Sequence, residues 1–513
     1  MRYYYWGYYL YSGLIKVSGV KEEVGYALAV ATSAGLFTQS IAGIIFHVSK
    51  RISLTVLGSL LIALGSHWNT LWRFSQGGNL NIDFFWKSTR LFSHGEFAEF
   101  PFWSFLFADL HPHMMSYAWS IFLLVIMINY WNGKERWVIP NFFLLAMVWG
   151  SLLAINGWDF IIMSLYCLFI SLFYVSTSEN KKYQVKKFLT LGLVLGGALF
   201  FYLPMLWILT GGESMGLSIH SGPHNKLGHY FGHQGHWWVV ILICAFPIFR
   251  KLKFRRLFSM HGHAQLMLAL IVSTIALNLI SETVIFHDRY NSVFKFGNLT
   301  YVFWGLLAIF SLRPSWFIFP WKYRLQTHML AIFVLVPTVL GSYLNAYAYL
   351  SYNPFGSDRP SLYGSRYLKK MNPGDYEVVS WIRKNVFGTP TLLEAYGPSF
   401  DHRAARVSMH TGLPTYLGWT GHVKLRGAKG LSIENRKQEV DFIYNSSDAF
   451  KVHEILTKNK ISFVIVGPYE VSQYNPQGLA KFDQFKELFF PLISRSGSTL
   501  YGVGNFKDFT EKN

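Results

Sequence analysis

The sequence predicts an α-helical polytopic membrane protein whose C-terminal end forms a mixed α/β domain outside the cytoplasm. Three observations carry that prediction. Hydrophobic residues make up 51% of the 513, and charged residues only 14%, where a soluble chain carries about 25% charged residues. Aromatic residues reach 18%, and Tyr and Trp rings favour the headgroup level of a bilayer. Finally, about ten apolar runs approach the roughly 20 residues that a spanning helix needs, and all of them precede residue 350.

Taken in order, the runs lie near 24–46, 53–70, 103–131, 137–154, 158–177, 188–209, 237–250, 264–280, 299–312 and 327–349. Those at 237–250 and 299–312 are short and are expected to extend into their flanks. Before the first run, Tyr3, Tyr4, Tyr5, Trp6, Tyr8, Tyr9 and Tyr11 crowd one segment. That is interface chemistry, so residues 1–20 are expected as an interfacial helix on the outer face rather than a span. No small-residue cleavage site follows this stretch, so a cleaved signal peptide is not expected.

Lys and Arg in short loops set orientation. One set of loops holds Lys50, Arg51, Lys134, Arg136, Lys181, Lys182, Lys186, Lys187, Arg250, Lys251, Lys253, Arg255, Arg256, Arg313, Lys322 and Arg324. The alternate loops hold only Arg73, Lys87, Arg90, Lys226, Arg289 and Lys295. The first set is therefore expected in the cytoplasm. Residues 71–102, 210–236, 281–298 and everything after 350 are expected on the other side of the cell membrane. The net charge of +19 then reflects cytoplasmic loops and anionic lipid, not nucleic acid, for which no binding motif is present. Cys167 and Cys244 both fall in apolar runs and form no disulfide framework.

The chain divides into a transmembrane domain over 1–349, a Pro/Gly/Ser-rich linker over 350–374 ("SYNPFGSDRPSLYGSRY") and an extracytoplasmic domain over 375–513. In that last part "GDYEVVSWIRKNV" has helical spacing with Asp375 near its start, which reads as a cap. "ISFVIVGP" and "STLYGVGNF" read as strands closed by glycines.

The residues that point to chemistry collect at the outer ends of spans. "FADLHPH" places Asp109, His111 and His113 at the mouth of one. Positions i and i+2 do not share a helix face, but Pro112 disfavours helical geometry at His111, so a broken segment is expected. The group then has the donors for a divalent cation such as Mg or Mn, or for phosphate as imidazolium. The alternative is helix capping by Asp109. Glu96, Glu99 and Asp159 also fall at outer span ends. The Gly-rich stretch 211–236 carries Glu213, His220, His224, His229, His233 and His236, whose spacing matches no structural zinc pattern. It is expected as a polar or substrate-covering loop. "SETVIFHDRYNSVFKFGN" supplies Glu282, Asp288, Arg289 and Lys295, and Arg and Lys are the types that hold a lipid-linked phosphate. Ionisable groups at the rim rather than the midplane favour chemistry at the outer leaflet. A lipid or polysaccharide transporter, or a non-catalytic assembly subunit, are the alternatives.

The segments "YYYWGYYL", "EFPFWSFLFADLHPH", "NGWDF", "ETVIFHDRYNSVFKF", "PGDYEVVSWIRKNVFGTPTLLEAYG" and "TGLPTYLGW" together resemble the YYY family of bacterial and archaeal membrane proteins, over essentially the entire chain. That family in turn resembles the GT-C membrane glycosyltransferases, which take sugars from polyprenyl-phosphate or polyprenyl-diphosphate donors. The resemblance implies a GT-C-like transmembrane domain, with Asp109 and Glu282 as catalytic acids. It implies Asp109, His111 and His113 as metal ligands, and Glu99, Asp159, Arg289, Lys295 and Trp419 as substrate-binding residues. Its implied partners are a polyprenyl-linked sugar donor and membrane lipids. Two departures stand out. The superfamily's first span and acid-bearing loop are expected ahead of the YYY segment and do not stand there in this sequence, which leaves three expectations: a misassigned start, a separate partner chain that carries them, or an inactive protein. Val423 follows His422 where an acid is expected.

Overall fold

Inside a bilayer no water is available to satisfy peptide groups, so apolar runs close their hydrogen bonds within each segment as helices. The computed structural model describes residues 3–93, 95–132, 138–210, 216–249, 263–286, 288–313, 321–352 and 361–510. Lys134, Arg136, the basic residues of 250–256 and Glu213 lie outside the described residues. The chain separates into two compact units, one over Tyr4–Asn353 and one over Pro354–Asn513 together with Met1–Tyr3.

The first unit runs α1 (Trp6–Ser18), α2 (Glu22–Ser49), α3 (Ile52–Leu64), α4 (Trp68–Ser75), α5 (Ile82–Ser88), α6 (Pro101–Phe107), α7 (Pro112–Asn132) and α8 (Ile139–Ile155). It continues with α9 (Gly157–Thr177), α10 (Lys181–Phe201), α11 (Leu203–Thr210), α12 (Leu227–Phe249), α13 (His263–Thr283), α14 (Arg289–Ser311) and α15 (Trp321–Leu350). A short antiparallel pair, β1 (Leu217–Ile219) and β2 (Val284–Phe286), ties the segment before α12 to the end of α13. Among the described residues seven helices are long and apolar enough to cross a membrane, or eight if the bent pair α3–α4 is one span. The expected ten is reached by adding α8, an apolar helix of 17 residues, and α12 of 23. With 13 residues, α1 falls short of the roughly 20 that a span requires.

At the centre lies α14, buried continuously from Ser292 to Ser311. A helix that is hydrophobic all round belongs inside a bundle, and α14 packs against α3, α12 and α13. Reciprocal glycines let α3 and α14 approach: a Cβ on Gly58 would meet Ile309 Cγ2 at 2.7 Å, and one on Gly305 would meet Ile62 Cγ1 at 2.9 Å. Small residues at such crossings are the usual means of close packing between membrane helices.

The run expected at 53–70 is not one straight helix. It bends by 55° between α3 and α4. Neighbouring groups satisfy the freed backbone: Ser66 N–H donates to Thr338 O at 3.1 Å, Ser342 Oγ to Leu64 O at 2.5 Å and Tyr301 OH to Gly65 O at 3.2 Å. The run expected at 103–131 also divides, into α6 and α7, around Ala108 in the left-handed region at φ 60°.

The second unit contains α16 (Arg366–Met371), α17 (Pro373–Asn385), α18 (Arg406–Thr411), α19 (Thr420–Leu425), α20 (Gly430–Asn445), α21 (Ala449–Lys458), α22 (Pro468–Gln473) and α23 (Pro476–Gln484). Its strands β3 (Thr391–Leu393), β4 (Ile461–Val466), β5 (Phe490–Arg495) and β6 (Ser498–Gly502) form one mixed sheet in the order β3-β4-β6-β5. Period-2 alternation along β4 sends Phe463 and Ile465 to one apolar cluster and Val464 to another. The stretch expected as a linker already carries α16. Asp375 is not a cap: the Arg406 guanidinium, 1% exposed, holds both Asp375 (Nε–Oδ2 2.6 Å) and Glu470 (Nη2–Oε2 2.8 Å), and Ser498 Oγ donates to Asp375 Oδ1 at 2.7 Å.

Candidate functional site

The break between α6 and α7 places the acid–imidazole group. Ala108 N–H closes α6 on Ser104 O at 3.2 Å, and His111 N–H turns back onto Asp109 O at 2.6 Å. Tyr26 OH accepts from Leu110 N–H at 2.9 Å and pins the turn to α2. Pro112 then starts α7, where its missing N–H is harmless. The turn brings Asp109 Oδ2 to 3.2 Å from His111 Nδ1, both side chains remaining partly exposed. This is the broken geometry that the i, i+2 spacing required.

His113, one residue into α7, faces the other way. It is 5% exposed, with Nδ1 at 3.4 Å from Lys295 Nζ and Nε2 at 3.4 Å from Ser104 Oγ. Ser104 Oγ donates in turn to Glu99 Oε2 at 3.2 Å. The His111 and His113 rings are 4.9 Å apart. A chain of polar contacts thus runs from exposed Asp109 and His111, past His113, to Lys295 and Glu99 inside. Glu99 lies before α6, and burial raises its carboxyl from the ordinary value to about 7, against the opposing pull of Lys295 and Arg90.

The expected cation triad does not form. The two imidazole nitrogens of His113 face an ammonium and a hydroxyl, Lys295 Nζ and Ser104 Oγ. Among the described residues no three His, Cys, Asp or Glu groups converge to hold a metal ion. A resident cation therefore does not fit Asp109, His111 and His113 as placed.

Glu282 and Arg289 form a second, closed cluster. Arg289 Nη2 meets Glu282 Oε2 at 2.8 Å and its Nε meets Glu96 Oε1 at 3.2 Å, all three side chains largely buried. Tyr230 OH and the Asn225 amide donate to Glu282 at 2.7 and 3.0 Å. These groups clamp the loops before α6, α12 and α14 to one another. By contrast Lys295, 5% exposed, makes no ion pair among the described residues and lies over the Phe294 ring at 4.1 Å. Asp159 is buried at the start of α9, where it accepts from Ser116 Oγ and fastens α9 to α7. Trp419 belongs to the second unit, where its indole N–H donates to Asp401 O at 2.9 Å and Ala404 O at 3.1 Å.

The segment expected as a histidine-rich loop is half helix. His229, His233 and His236 sit on α12 with i, i+4 and i+7 spacing, and the last two are fully buried. His233 Nε2 lies 3.2 Å from Glu99 O. That spacing was the signal; the glycines around it concealed it. Ser104, Asn225 and Tyr230 were not expected at all, because a neutral hydroxyl or amide carries no mark in a single sequence.

A bundle of membrane helices with a polar site at a break between two of them defines an α-helical polytopic membrane protein. More specifically, the chain belongs to the family described as uncharacterized membrane protein (DUF2298), which matches residues 1–311. No curated protein matches the chain. It is similar to a crystal structure of the Archaeoglobus fulgidus oligosaccharyltransferase tethered with an acceptor peptide, with 12% identity and a TM-score of 0.35, covering 94% of this chain and 63% of that one. It is also similar to the oligosaccharyltransferase AglB of that archaeon in complex with an inhibitory peptide and a dolichol-phosphate. There the identity is 13% and the TM-score 0.37, covering 97% of this chain and 66% of the other. The chain therefore spans just under two thirds of the length of these solved proteins.

Proposed function

We propose that this protein is a GT-C-like membrane glycosyltransferase that takes a sugar from a polyprenyl-phosphate or polyprenyl-diphosphate donor at the extracytoplasmic face. The observation that carries the reading is Lys295, a buried ammonium that makes no ion pair among the described residues and lies 3.4 Å from His113 Nδ1. Glu99 and Asp159 offset the charge of Lys295 only from beyond ion-pair distance, so a desolvated ammonium still favours an anion in direct contact, and a lipid-linked phosphate brings that anion together with a polyprenyl chain suited to the bilayer. Arg289 is the poorer phosphate ligand, because Glu96 and Glu282 already neutralise it.

In this reading the leaving phosphate is received by Lys295 and His113, whose positions favour the charge that develops as the glycosidic bond breaks. An acceptor hydroxyl attacks the anomeric carbon and loses its proton to the Asp109–His111 pair, in which the carboxylate orients the ring. No step is assigned to a metal ion. The motif resemblance to the YYY and GT-C families supports the same chemistry. The bent span α3–α4 favours a second reading, lipid translocation, since interrupted helices mark many transporter sites.

The test supplies polyprenyl-phosphate-linked sugars to membranes containing the protein and follows loss of sugar from the lipid. Asp109→Asn and Lys295→Met are each expected to lower turnover by roughly 10²–10⁴-fold with membrane expression retained. Turnover unchanged in both variants would refute the assignment. Movement of intact donor across the bilayer, with no sugar released, would establish the transporter reading instead.

A further inference from the structure

A cavity lies in the first unit, lined by neither Lys295 nor Asp109. It is a cleft of about 770 Å³ between α4, the Gly77–Gly78 turn, α5 and the first turns of α12. That volume falls within the roughly 300–1,000 Å³ typical of small-molecule sites. Its walls differ from those of a lipid crevice. Trp68 and Trp72 supply indole surface, and Trp72 is 65% exposed. The exposed side-chain amides of Gln76 and Asn79 also line it. At its rim Lys87 and Asp83 pair at 2.7 Å with side chains 59% and 60% exposed.

Resting on the glycosyltransferase reading, we propose that this cleft binds a neutral oligosaccharide, the acceptor or the sugar portion of the donor. Sugar rings present a C–H face that stacks on indole and a rim of hydroxyls that both donate and accept. Amides answer that rim because each carries both roles. Of the cations at the cleft, Lys87 is already paired with Asp83 and Arg73 Nη2 donates to Arg90 O at 2.7 Å, so inorganic phosphate is the control for an anion at Arg73. A peptide fits less well, because the cleft is walled by helices and a turn, with no free strand edge to extend. The wall reaches the backbone beside Ser104 and Glu99. Gly232 lines the cleft, and the next residue, His233, contacts Glu99 O at 3.2 Å.

Two variants test the cleft without disturbing the bundle. Trp72 is mostly exposed, so Trp72→Ala removes the stacking surface alone. Gly228 lines the cleft, and a Cβ there meets no heavy atom within 4 Å, so Gly228→Phe fills space at little cost to the fold. The experiment measures tryptophan fluorescence of the full chain in lipid nanodiscs. It is titrated with neutral gluco-, manno-, galacto- and N-acetylglucosamine oligomers, with inorganic phosphate, and with an uncharged hexapeptide. Saturable quenching by at least one sugar is expected, weakened roughly three- to tenfold by Trp72→Ala and abolished by Gly228→Phe. The same sugar carried on a short polyprenyl phosphate distinguishes the sources: equal affinity assigns the cleft to the acceptor, and tighter binding that needs Lys295 assigns it to the donor. Quenching only by phosphate or peptide, no quenching by any sugar, or quenching that survives both variants overturns the proposal. Lys295→Met and Asp109→Asn separate the two claims: loss of transfer with no sugar binding in the cleft leaves the glycosyltransferase reading standing alone.

Discussion

Lys295 and Arg289 lie less than two turns apart on α14 and have opposite electrostatic fates. Arg289 neutralises Glu96 and Glu282, so Arg289→Met leaves two buried carboxylates uncompensated. Removing one partner of a buried ion pair typically costs about 3–5 kcal/mol, and thermal unfolding in detergent should show a loss on that scale. Lys295→Met removes a buried charge that no carboxylate contacts, so the variant should unfold no earlier than the parent. A large loss of stability in Lys295→Met would mean that the ammonium is a structural partner. Glu99 gives the pH signature. Its carboxyl titrates near 7 in the folded state against an ordinary 4.5, so the folded protein binds the proton more tightly than the unfolded chain does. The contribution is present in full below about pH 4.5 and is lost as pH rises through about 7. Unfolding midpoints measured from pH 4 to 8 should therefore fall more steeply for the parent than for Glu99→Gln; parallel profiles would place Glu99 in water.

At the scale of elements, the breaks do the positioning. Asp109 and His111 meet because both lie in the break between the end of α6 at Phe107 and the start of α7 at Pro112, and Pro112 is the residue that makes the second start possible. The α3–α4 bend depends on Gly65, where a Cβ would sit 2.1 Å from Leu61 O. Backbone cannot yield as a flexible side chain does, so Gly65→Ala should destabilise the bundle by about 1–3 kcal/mol, the usual range for overpacking. The measurement is the shift in unfolding midpoint, with Gly228→Ala as the control, since a Cβ there meets nothing within 4 Å. Equal midpoints for the two variants would show that the bend tolerates a side chain.

For the whole molecule the prediction is sidedness, which follows from the basic-loop pattern. Ser447, between α20 and α21, and Lys182, at the start of α10, are both exposed. Single cysteines at these positions should react oppositely with a membrane-impermeant thiol reagent in intact cells, with Ser447→Cys labelled and Lys182→Cys protected. The native Cys167 and Cys244 are buried and should contribute little background. Labelling of Lys182→Cys alone would invert the topology and move the proposed site to the cytoplasmic face.

Composition and period settled the class of fold. Apolar runs long enough to cross a bilayer leave the backbone no alternative to helix, so α2, α9, α13 and α15 were legible, as were α17, β4 and β6 in the second unit. The interruption at Pro112 was legible for the same local reason. What the sequence left open was which polar groups meet. Asp109, His111 and His113 are nearly adjacent in the chain, yet only the fold sends two outward and one inward, because α7 begins between His111 and His113. Arg289 and Lys295 are both cations of one segment, and only packing decides that two carboxylates reach the first and none the second. Contacts between Glu96, Glu282, Asn225 and Arg289 join loops that are distant in sequence, and no local propensity encodes such a meeting. Burial and distance of that kind are properties of the folded bundle, since each charge takes its meaning from neighbours that the chain brings in from elsewhere.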